Sequence, residues 1–488
     1  MRKMFVFIQN CFMFSMLVVF AAVQCAGQET LPSPGPARTV IVPAVKESKL
    51  KNGLTVAVVE RRSVPLITVQ LLVRNGARSE SKDKAGLANI TASLLTKGTK
   101  MRSATQVAEE MEFLGGSLFS FGGWQSSALG MTVTSDTFEP AMAVMADTAL
   151  NPAFKQEEID LEKSQTLDLI TANMASPGFI ANYVASSYSF GEHPAGGTPA
   201  SIGSITRADV SQFYAANYKP KDAVLIFVGD ITAERAATAA EIFFGTWGAA
   251  HSSSAVPAGD PARNAAAGNK APFRRLLVVD LPNSGQASVN WFKPISGLGR
   301  QSSQYYAASV LNSLLGGGYS SRLNQEIRIK RGLSYGAGSN FTWRDSKSNF
   351  GARTQTKNES AAEVTELILA ELKRLADTAA TDAELRPRKS VLTGGFGRNL
   401  ETTQGLAGAL ADLYSFGLST YELNAYMTNV NNVRSADLRS FATENLYDGD
   451  IIIVGDYSVF KDDLAKRFPN VKIDVLKATD IDARKETP

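Results

Sequence analysis

Apolar and polar positions along this chain follow two spacings, one typical of strands and one typical of helices. Short stretches rich in β-branched and aromatic residues predict strands at 53–60, 66–74, 127–134, 222–228, 275–280, 286–293, 333–343 and 450–454. Longer stretches with apolar residues every three or four positions predict helices at 85–95, 104–114, 156–174, 303–315, 360–376 and 381–395. Strands precede blocks of helices without strict alternation, which predicts an α+β fold with helices on one face of each sheet.

The pattern occurs twice along the chain. An apolar stretch ends in Val228-Gly229-Asp230, and a similar stretch ends in Val454-Gly455-Asp456, 226 residues later. Each half also opens with strands that lead into a Leu-rich helix. Two unrelated segments could share such features by chance, but the matching order of elements favours an internal duplication. We therefore expect two homologous domains, residues 46–248 and 273–475.

The N-terminus has the pattern of an export signal. Arg2 and Lys3 precede a mostly apolar stretch at 4–22, and small residues follow at 23–27. This pattern predicts a cleaved signal peptide at residues 1–26 and export, in a bacterium to the periplasm. An uncleaved membrane anchor remains open, because the apolar stretch is close to spanning length. Lipidation at Cys25 also remains open, although Gln24 fits a lipoprotein signal poorly.

Three further segments lack periodicity. Residues 27–45 are rich in Pro and Ala and predict a flexible lead-in, and residues 249–272 have the same character and predict a linker. Residues 476–488 form a C-terminal tail in this division of the chain.

Composition limits the classes of function. The 488 residues are 44% hydrophobic and 20% charged, which is ordinary for a soluble globular protein of two or more domains. The net charge of +3 gives no reason to expect a nucleic-acid partner. Both cysteines, Cys11 and Cys25, lie in the leader, so the exported chain would be held together by core burial without disulfides.

Residues 86–99 read Gly-Leu-Ala-Asn-Ile-Thr-Ala-Ser-Leu-Leu-Thr-Lys-Gly-Thr. Apolar residues at helical spacing predict a buried stripe, with Asn89, Ala92 and Ser93 on the opposite side and Gly98 closing the helix. The segment resembles the insulinase and mitochondrial-processing-peptidase family, peptidase M16. In that family it reads Gly-Leu-Ala-His-x-x-Glu-His and is followed by Leu-x-x-Lys-Gly-Thr. There, two His bind zinc and the Glu is the general base.

The resemblance implies a degenerate zinc site. Asn89 and Ser93 stand where the family has its two His, and Ala92 stands where it has the Glu. Leu169 stands at the position of the last ligand, a downstream Glu. We therefore expect no metal in this chain.

The number of histidines independently argues against a zinc site of this kind. The chain has only two His, His193 and His251, so a His pair one helical turn apart does not exist. No cluster of carboxylates at ligand spacing stands out as an alternative metal site. We interpret His193, in a His-Pro turn, as a structural loop residue.

The second half resembles the C-terminal signature of the same family over residues 314–343. Arg328 and Tyr335 match, in type and spacing, a family pair that faces the zinc site across a chamber. The resemblance implies that they donate hydrogen bonds to the substrate carbonyl and to the oxyanion formed in hydrolysis. The alternative is that Arg328 is a solvated or ion-paired residue on a helix starting near Ser320 or Ser321, and Tyr335 a core residue of a strand.

A glycine triplet precedes this pair. Gly316, Gly317 and Gly318 could form a substrate-binding loop, as a longer Gly-rich loop does in the family's non-catalytic processing-peptidase subunit. They could equally be a helix stop.

The resemblance spans about residues 45–470 and implies the family fold. Each half would be a mainly antiparallel sheet with helices on one face, and two subunits would pair as a clam shell. We expect a non-catalytic, zinc-free subunit of a heterodimeric zinc metallopeptidase, inactive alone. Its partner would be a subunit bearing His-x-x-Glu-His and zinc, and its substrates would be peptides.

Two other functions remain to be weighed. The chain could be a pseudo-peptidase that serves only as a scaffold or binding module. Independent metal-free peptidase activity is disfavoured, because no Ser/His/Asp or Cys/His set is present.

Overall fold

A computed structural model describes residues 41–248 and 273–481. The predicted signal peptide, most of the lead-in, the whole predicted linker and most of the tail lie outside these residues, as do Cys11, Cys25 and His251. The described part of the chain contains two six-stranded sheets with helices.

The first half supplies the first sheet. Its elements are β1 (Lys46–Lys49), β2 (Thr55–Glu60), β3 (Leu66–Val73), α1 (Leu87–Leu94), α2 (Ala104–Phe113), β4 (Leu118–Gly122), β5 (Ser127–Thr134), α3 (Phe138–Leu150), α4 (Gln156–Asn173), α5 (Pro177–Tyr188), α6 (Pro199–Ser204), α7 (Arg207–Asn217), β6 (Ala223–Gly229) and α8 (Ala233–Phe244). The strand order is β1-β2-β6-β3-β5-β4, and only β2 and β6 pair in parallel.

The second half supplies the second sheet. Its elements are β7 (Phe273–Asp280), β8 (Ala287–Ser296), α9 (Tyr305–Leu315), α10 (Arg322–Asn324) continued by a π-helical turn (Gln325–Ile329), β9 (Ala337–Trp343), β10 (Lys347–Thr356), α11 (Ala361–Asp377), α12 (Asp382–Leu400), α13 (Thr403–Ser415), α14 (Glu422–Asn432), α15 (Ser435–Asn445), β11 (Gly449–Gly455), α16 (Tyr457–Arg467) and β12 (Ile473–Lys477). The order is β12-β7-β11-β8-β10-β9, with β7 parallel to both β11 and β12.

The two halves repeat one design. Strands β2, β6, β3, β5 and β4 of the first sheet correspond in position to β7, β11, β8, β10 and β9 of the second. The Gly of each Val-Gly-Asp triplet, Gly229 and Gly455, is the last residue of the corresponding strand. Helix α1 in the first half takes the place of α9 in the second. The predicted α+β fold with two homologous halves is confirmed.

Each half also covers part of the other half's sheet. Every residue of β6 and β11 is buried, so both faces of the sheets need apolar cover. Helix α5 of the first half packs Ile180 and Val184 on the second sheet, while α13 of the second half packs on β3 and β6. The hydroxyl of Thr68 donates to that of Thr403 across this contact at 2.8 Å. The sequence pattern did not predict this exchange, because it reports which residues are apolar and not what covers them.

The largest local difference from prediction lies between α10 and β9. The predicted strand at 333–343 begins only at Ala337, because residues 333–336 form an irregular loop that bends at Tyr335. Ser321 precedes α10, but its side chain makes no capping hydrogen bond, and Gly332 follows the π-helical turn with a positive φ of 63°. Tyr335 therefore does not lie in a strand.

Candidate functional site

Helix α1, which carries the degenerate zinc positions, is fixed at its N-terminus by a buried carboxylate. The backbone amides of Gly86 and Ala88 donate to the two Glu80 oxygens at 2.8 and 2.6 Å. Burial raises the pKa of Glu80 to about 8, although these amides favour its charged form. The start of α1 is thus set by a group that the mechanism of the family does not use.

Strand β4 packs closely on α1. Gly122 allows this approach, because a Cβ there would lie 2.7 Å from the Ala88 carbonyl oxygen. The Ser120 hydroxyl donates to the Ala92 carbonyl at 2.7 Å, and Ala92 is fully buried. Ala92 therefore does not belong to an exposed stripe, as its helical spacing had predicted, because β4 covers it.

The other degenerate positions are more accessible. Asn89 and Ser93 are half-buried, one helical turn apart. Leu169 is 64% exposed on α4, which packs against α1. An amide, a hydroxyl and two hydrocarbon side chains do not make the nitrogen, thiolate and carboxylate set that zinc requires. Among residues 41–248 and 273–481, no group of three or more His, Cys, Asp or Glu side chains could hold a metal ion. These positions therefore do not fit zinc.

His193 lies where the two halves meet. Its ring packs on Trp124 at 5.0 Å, and Nδ1 lies 3.5 Å from Glu80. Burial lowers the pKa of His193, which favours the neutral ring. The adjacent Glu192 pairs with Arg344 and Lys347 of the second half at 3.0 and 2.9 Å.

Arg328 lies on the π-helical turn after α10. Its guanidinium carbon is 4.9 Å from the centre of the Tyr319 ring and 4.8 Å from that of Tyr335. In the described part of the chain, no carboxylate lies within ion-pair distance of Arg328. The nearby Glu326 instead pairs with Lys330 and Arg331. With respect to the described residues, the Arg328 guanidinium therefore has unused hydrogen-bond donors while two aromatic rings contact it.

Tyr335 is 88% exposed in the loop before β9. The loop is nevertheless anchored to β10. The Thr354 hydroxyl donates to Ser334 Oγ at 2.6 Å and to the Gly336 carbonyl at 2.8 Å, and the Thr356 hydroxyl donates to the Leu333 carbonyl at 2.5 Å. Tyr335 therefore does not fill a core.

The glycine triplet has packing reasons for two of its members. A Cβ at Gly316 would lie 2.1 Å from the Ser339 amide nitrogen, and one at Gly317 would lie 2.7 Å from the Ser313 Cα. Gly318 has room for a side chain, since the nearest atom, on Arg388, lies 3.9 Å away. Close packing thus accounts for Gly316 and Gly317, which directly follow the end of α9 at Leu315.

Three residues of this site were missed by the sequence analysis. Tyr319 contacts Arg328, and Arg388 donates to the Ser320 carbonyl and hydroxyl at 2.6 and 2.7 Å. The buried Asn324 donates to the Tyr319 carbonyl and accepts from the Ala337 amide at 3.2 Å. Asn324 had a detectable signal, a polar residue at a buried helical position, whereas Arg388 comes from a distant helix.

Comparison with known proteins identifies the family. The model described as "Insulinase (Peptidase family M16)" matches residues 55–188, and the model described as "Peptidase M16 inactive domain" matches residues 204–392. The chain belongs to the peptidase M16 family. The second description covers the last part of the first half and much of the second, so it does not itself concern the zinc positions on α1 of this M16 chain.

Bacterial M16 relatives cover most of the chain. A protein named an uncharacterized zinc protease from Streptomyces coelicolor is 24% identical over 406 residues, which are 82% of this chain and 87% of the relative. Another protein of the same description, from Mycobacterium leprae, is 28% identical over 368 residues, which are 73% of this chain and 79% of the relative. Their names state zinc dependence, which the residues on α1 of this chain do not fit.

Solved structures share the fold. A peptidase M16 inactive domain from Pseudomonas fluorescens matches with a TM-score of 0.74 at 24% identity, covering 84% of this chain and 98% of that one. A protease from Helicobacter pylori matches with a TM-score of 0.74 at 22% identity, covering 85% of this chain and 100% of that one. The periplasmic protease PqqL from Escherichia coli matches with a TM-score of 0.67 at 15% identity, and this chain covers 51% of its length.

Proposed function

We propose that this chain is the non-catalytic, zinc-free subunit of a heterodimeric M16 peptidase, and that it donates Arg328 and Tyr335 to the partner's active site. The observation that carries the proposal is a contrast between the two halves. The zinc positions on α1 and α4 hold no suitable ligand, while Arg328 and Tyr335 keep free donors on a turn and an anchored loop. A chain kept only as a scaffold needs neither donor.

The chemistry follows from these donors. In peptide hydrolysis the scissile carbonyl oxygen gains negative charge as water attacks. The Arg328 guanidinium and the Tyr335 hydroxyl would donate hydrogen bonds to that oxygen and stabilise the charge. In the proposed complex, zinc held by the partner would activate the attacking water.

The partner we propose is an M16 subunit with an intact His-x-x-Glu-His helix, and the substrates are peptides that fit the chamber between the subunits. Export to the periplasm belongs to the same proposal, since the similar PqqL is named a periplasmic protease. Within residues 41–248 and 273–481, no helix has the length and apolarity needed to cross a membrane. Sequencing the N-terminus of the mature chain tests the export step, with a start near Ala26 or Gly27 expected.

The decisive experiment uses the tagged full-length chain isolated with its partner from the native cells. We expect a zinc-containing M16 subunit to copurify and the complex to hydrolyse a fluorogenic peptide mixture. Arg328→Ala should lower kcat by about 10²–10³, the typical loss for one oxyanion donor. Arg331→Ala is the matched control, because Arg331 lies three residues further along the chain and is already paired with Glu326.

Two results decide against the donated pair. If no M16 subunit with an intact zinc helix copurifies, the heterodimer is wrong. If the complex forms but Arg328→Ala and Arg331→Ala hydrolyse peptides as fast as the unmodified complex, the chain acts as a scaffold or binding module instead.

A further inference from the structure

We infer that Tyr319 is a positioning residue for Arg328, holding its guanidinium ready for the substrate without consuming a hydrogen-bond donor. The inference rests on the proposed function, because the guanidinium is positioned for the partner's active site. It adds Tyr319, which directly follows the glycine triplet, to the Arg328 and Tyr335 pair predicted from the sequence.

The first support is the contact itself. The guanidinium carbon of Arg328 lies over the Tyr319 ring, 4.9 Å from its centre, and at 4.8 Å from the centre of the Tyr335 ring. An ion pair with a carboxylate would also fix the guanidinium, but it would occupy N–H groups and offset the charge. A contact with a ring face needs no acceptor atom, so the donors and the charge remain available. Since an arginine side chain has about 2 kcal/mol of rotamer entropy in its free state, two such contacts restrict a group that would otherwise sample many orientations.

The second support is the exposure of Tyr319. Its side chain is 65% exposed, so burial of apolar area gives a weak reason for an aromatic residue here. In the described part of the chain, no aromatic ring packs against it, and the ring contact it makes is with Arg328. Holding Arg328 is therefore the role that the surroundings support.

The third support is the anchoring of the loop. Arg388 holds the next residue, Ser320, through two hydrogen bonds of 2.6 and 2.7 Å. The buried Asn324 binds the Tyr319 carbonyl with its amide nitrogen and the Ala337 amide with its oxygen. One side chain thus ties the loop that carries Tyr319 to the strand that follows Tyr335, which anchors the backbone near both tyrosines that contact Arg328.

The functional test compares variants in the copurified complex. Tyr319→Ala should lower kcat about two- to fivefold with little change in KM, since an exposed cation–π contact is worth about 0.5–1 kcal/mol. Tyr319→Phe keeps the ring and should restore the unmodified kcat. In the Arg328→Ala background, Tyr319→Ala should have no further effect. Tyr421→Ala, at an equally exposed tyrosine in another part of the second half, is the control.

A second measurement needs only the isolated full-length chain, which separates this inference from the proposed function. Phenylglyoxal modifies accessible guanidinium groups, and the rate at Arg328 is followed by peptide mass spectrometry. We expect a severalfold faster reaction at Arg328 in Tyr319→Ala and an unchanged rate in Tyr319→Phe. The exposed Arg62, remote in sequence, serves as the internal reference in each digest.

The outcomes are distinguishable. An unchanged modification rate in Tyr319→Ala overturns the positioning role whatever the complex does. A faster rate together with a complex indifferent to Arg328→Ala keeps the contact but removes the proposed function. A kcat that falls equally in Tyr319→Ala and Tyr319→Phe also overturns the inference, because the ring would then not be what matters.

Discussion

The guanidinium carbon of Arg328 lies 4.8 Å from the centre of the Tyr335 ring, while the neighbouring Arg331 is paired with Glu326. Two arginines three residues apart therefore have different partners. Arg331 pairs with a carboxylate, whereas the Arg328 guanidinium lies over two aromatic rings and has no carboxylate within ion-pair distance among the described residues. The proposed role in peptide hydrolysis rests on this arginine, which has no carboxylate partner among the described residues, beside an exposed phenol.

The hydroxyl of Tyr335 is expected to contribute directly to catalysis in the complex. Tyr335→Phe removes one hydrogen-bond donor and keeps the ring that contacts Arg328. We expect kcat to fall by about 10²-fold or more with little change in KM, because the bond forms in the transition state. Tyr421→Phe, which removes a hydroxyl from a tyrosine that is 70% exposed, should leave kcat unchanged. Equal rates for Tyr335→Phe and Tyr421→Phe would remove Tyr335 from the proposed site.

The degenerate zinc positions can be tested by restoring ligands. Asn89 and Ser93 are half-buried one turn apart, and Leu169 is exposed on the adjacent α4. We expect the combined variant Asn89→His, Ser93→His and Leu169→Glu to bind about one zinc ion after dialysis. The same variant with Leu169→Gln should bind it more weakly, which zinc titration measures. Retained Ala92 leaves no general base, so no peptide hydrolysis is expected. Failure of the folded combined variant to bind zinc would show that the two helices do not present a metal-site geometry.

The junction between the halves depends on Glu192. Burial alone would raise the pKa of this carboxyl, but the charges of Arg344 and Lys347 outweigh it and hold the pKa below its usual value. Because the folded-state pKa is lowered, the stabilisation is present above the unfolded pKa and is lost as pH falls through the folded one. We expect Glu192→Gln to lower the free energy of unfolding by about 3 kcal/mol at pH 7, with a smaller difference in acid.

Urea unfolding at neutral and acid pH measures this effect. Glu139→Gln is the control, because the Glu139–Arg235 pair is partly exposed and should be worth less than about 1 kcal/mol. The stabilising role of ionised Glu192 would be contradicted if both variants lost the same free energy of unfolding. It would also be contradicted if the loss from Glu192→Gln did not become smaller in acid.

Glu80 predicts a pH dependence of the opposite sign. Burial raises its pKa from 4.5 to about 8, so its contribution is fully present below pH 4.5 and is lost as pH rises through about 8. Glu80→Gln should remove this pH-dependent loss. Between pH 4.5 and about 8, the free energy of unfolding of the variant relative to that of the unmodified chain should rise by about 1.4 kcal/mol for each pH unit. Parallel stability profiles for Glu80→Gln, the exposed control Glu157→Gln and the unmodified chain would show that Glu80 does not titrate this way.

The sequence predicted the fold well where a local pattern decides it. Periodicity alone placed the strand at 127–134 and the helix at 104–114 to within one residue, since both depend on residues close in sequence. The repeated Val-Gly-Asp triplet likewise identified equivalent strands, β6 and β11, because a buried strand with a positive-φ or tightly packed Gly at its end has a distinctive composition.

Contacts between residues far apart in sequence could not be predicted from local patterns. The reciprocal packing of α5 and α13 on the opposite sheets joins residues far apart in sequence, and no periodicity encodes it. The burial of Ala92 under β4 and the contact of Tyr319 with Arg328 have the same origin. Tyr335 was assigned to a strand because Leu333, Tyr335 and Ala337 alternate, but hydrogen bonds from Thr354 and Thr356 hold a loop there instead.

Zinc content distinguishes a zinc-free subunit from a chain that is itself a zinc peptidase. The tagged full-length chain, expressed alone and purified without chelator, should contain no stoichiometric zinc and should not hydrolyse peptides. The complex isolated from native cells should contain about one zinc ion per heterodimer, located in the partner. One zinc ion per isolated chain, with peptide hydrolysis that chelation abolishes and zinc restores, would contradict the account.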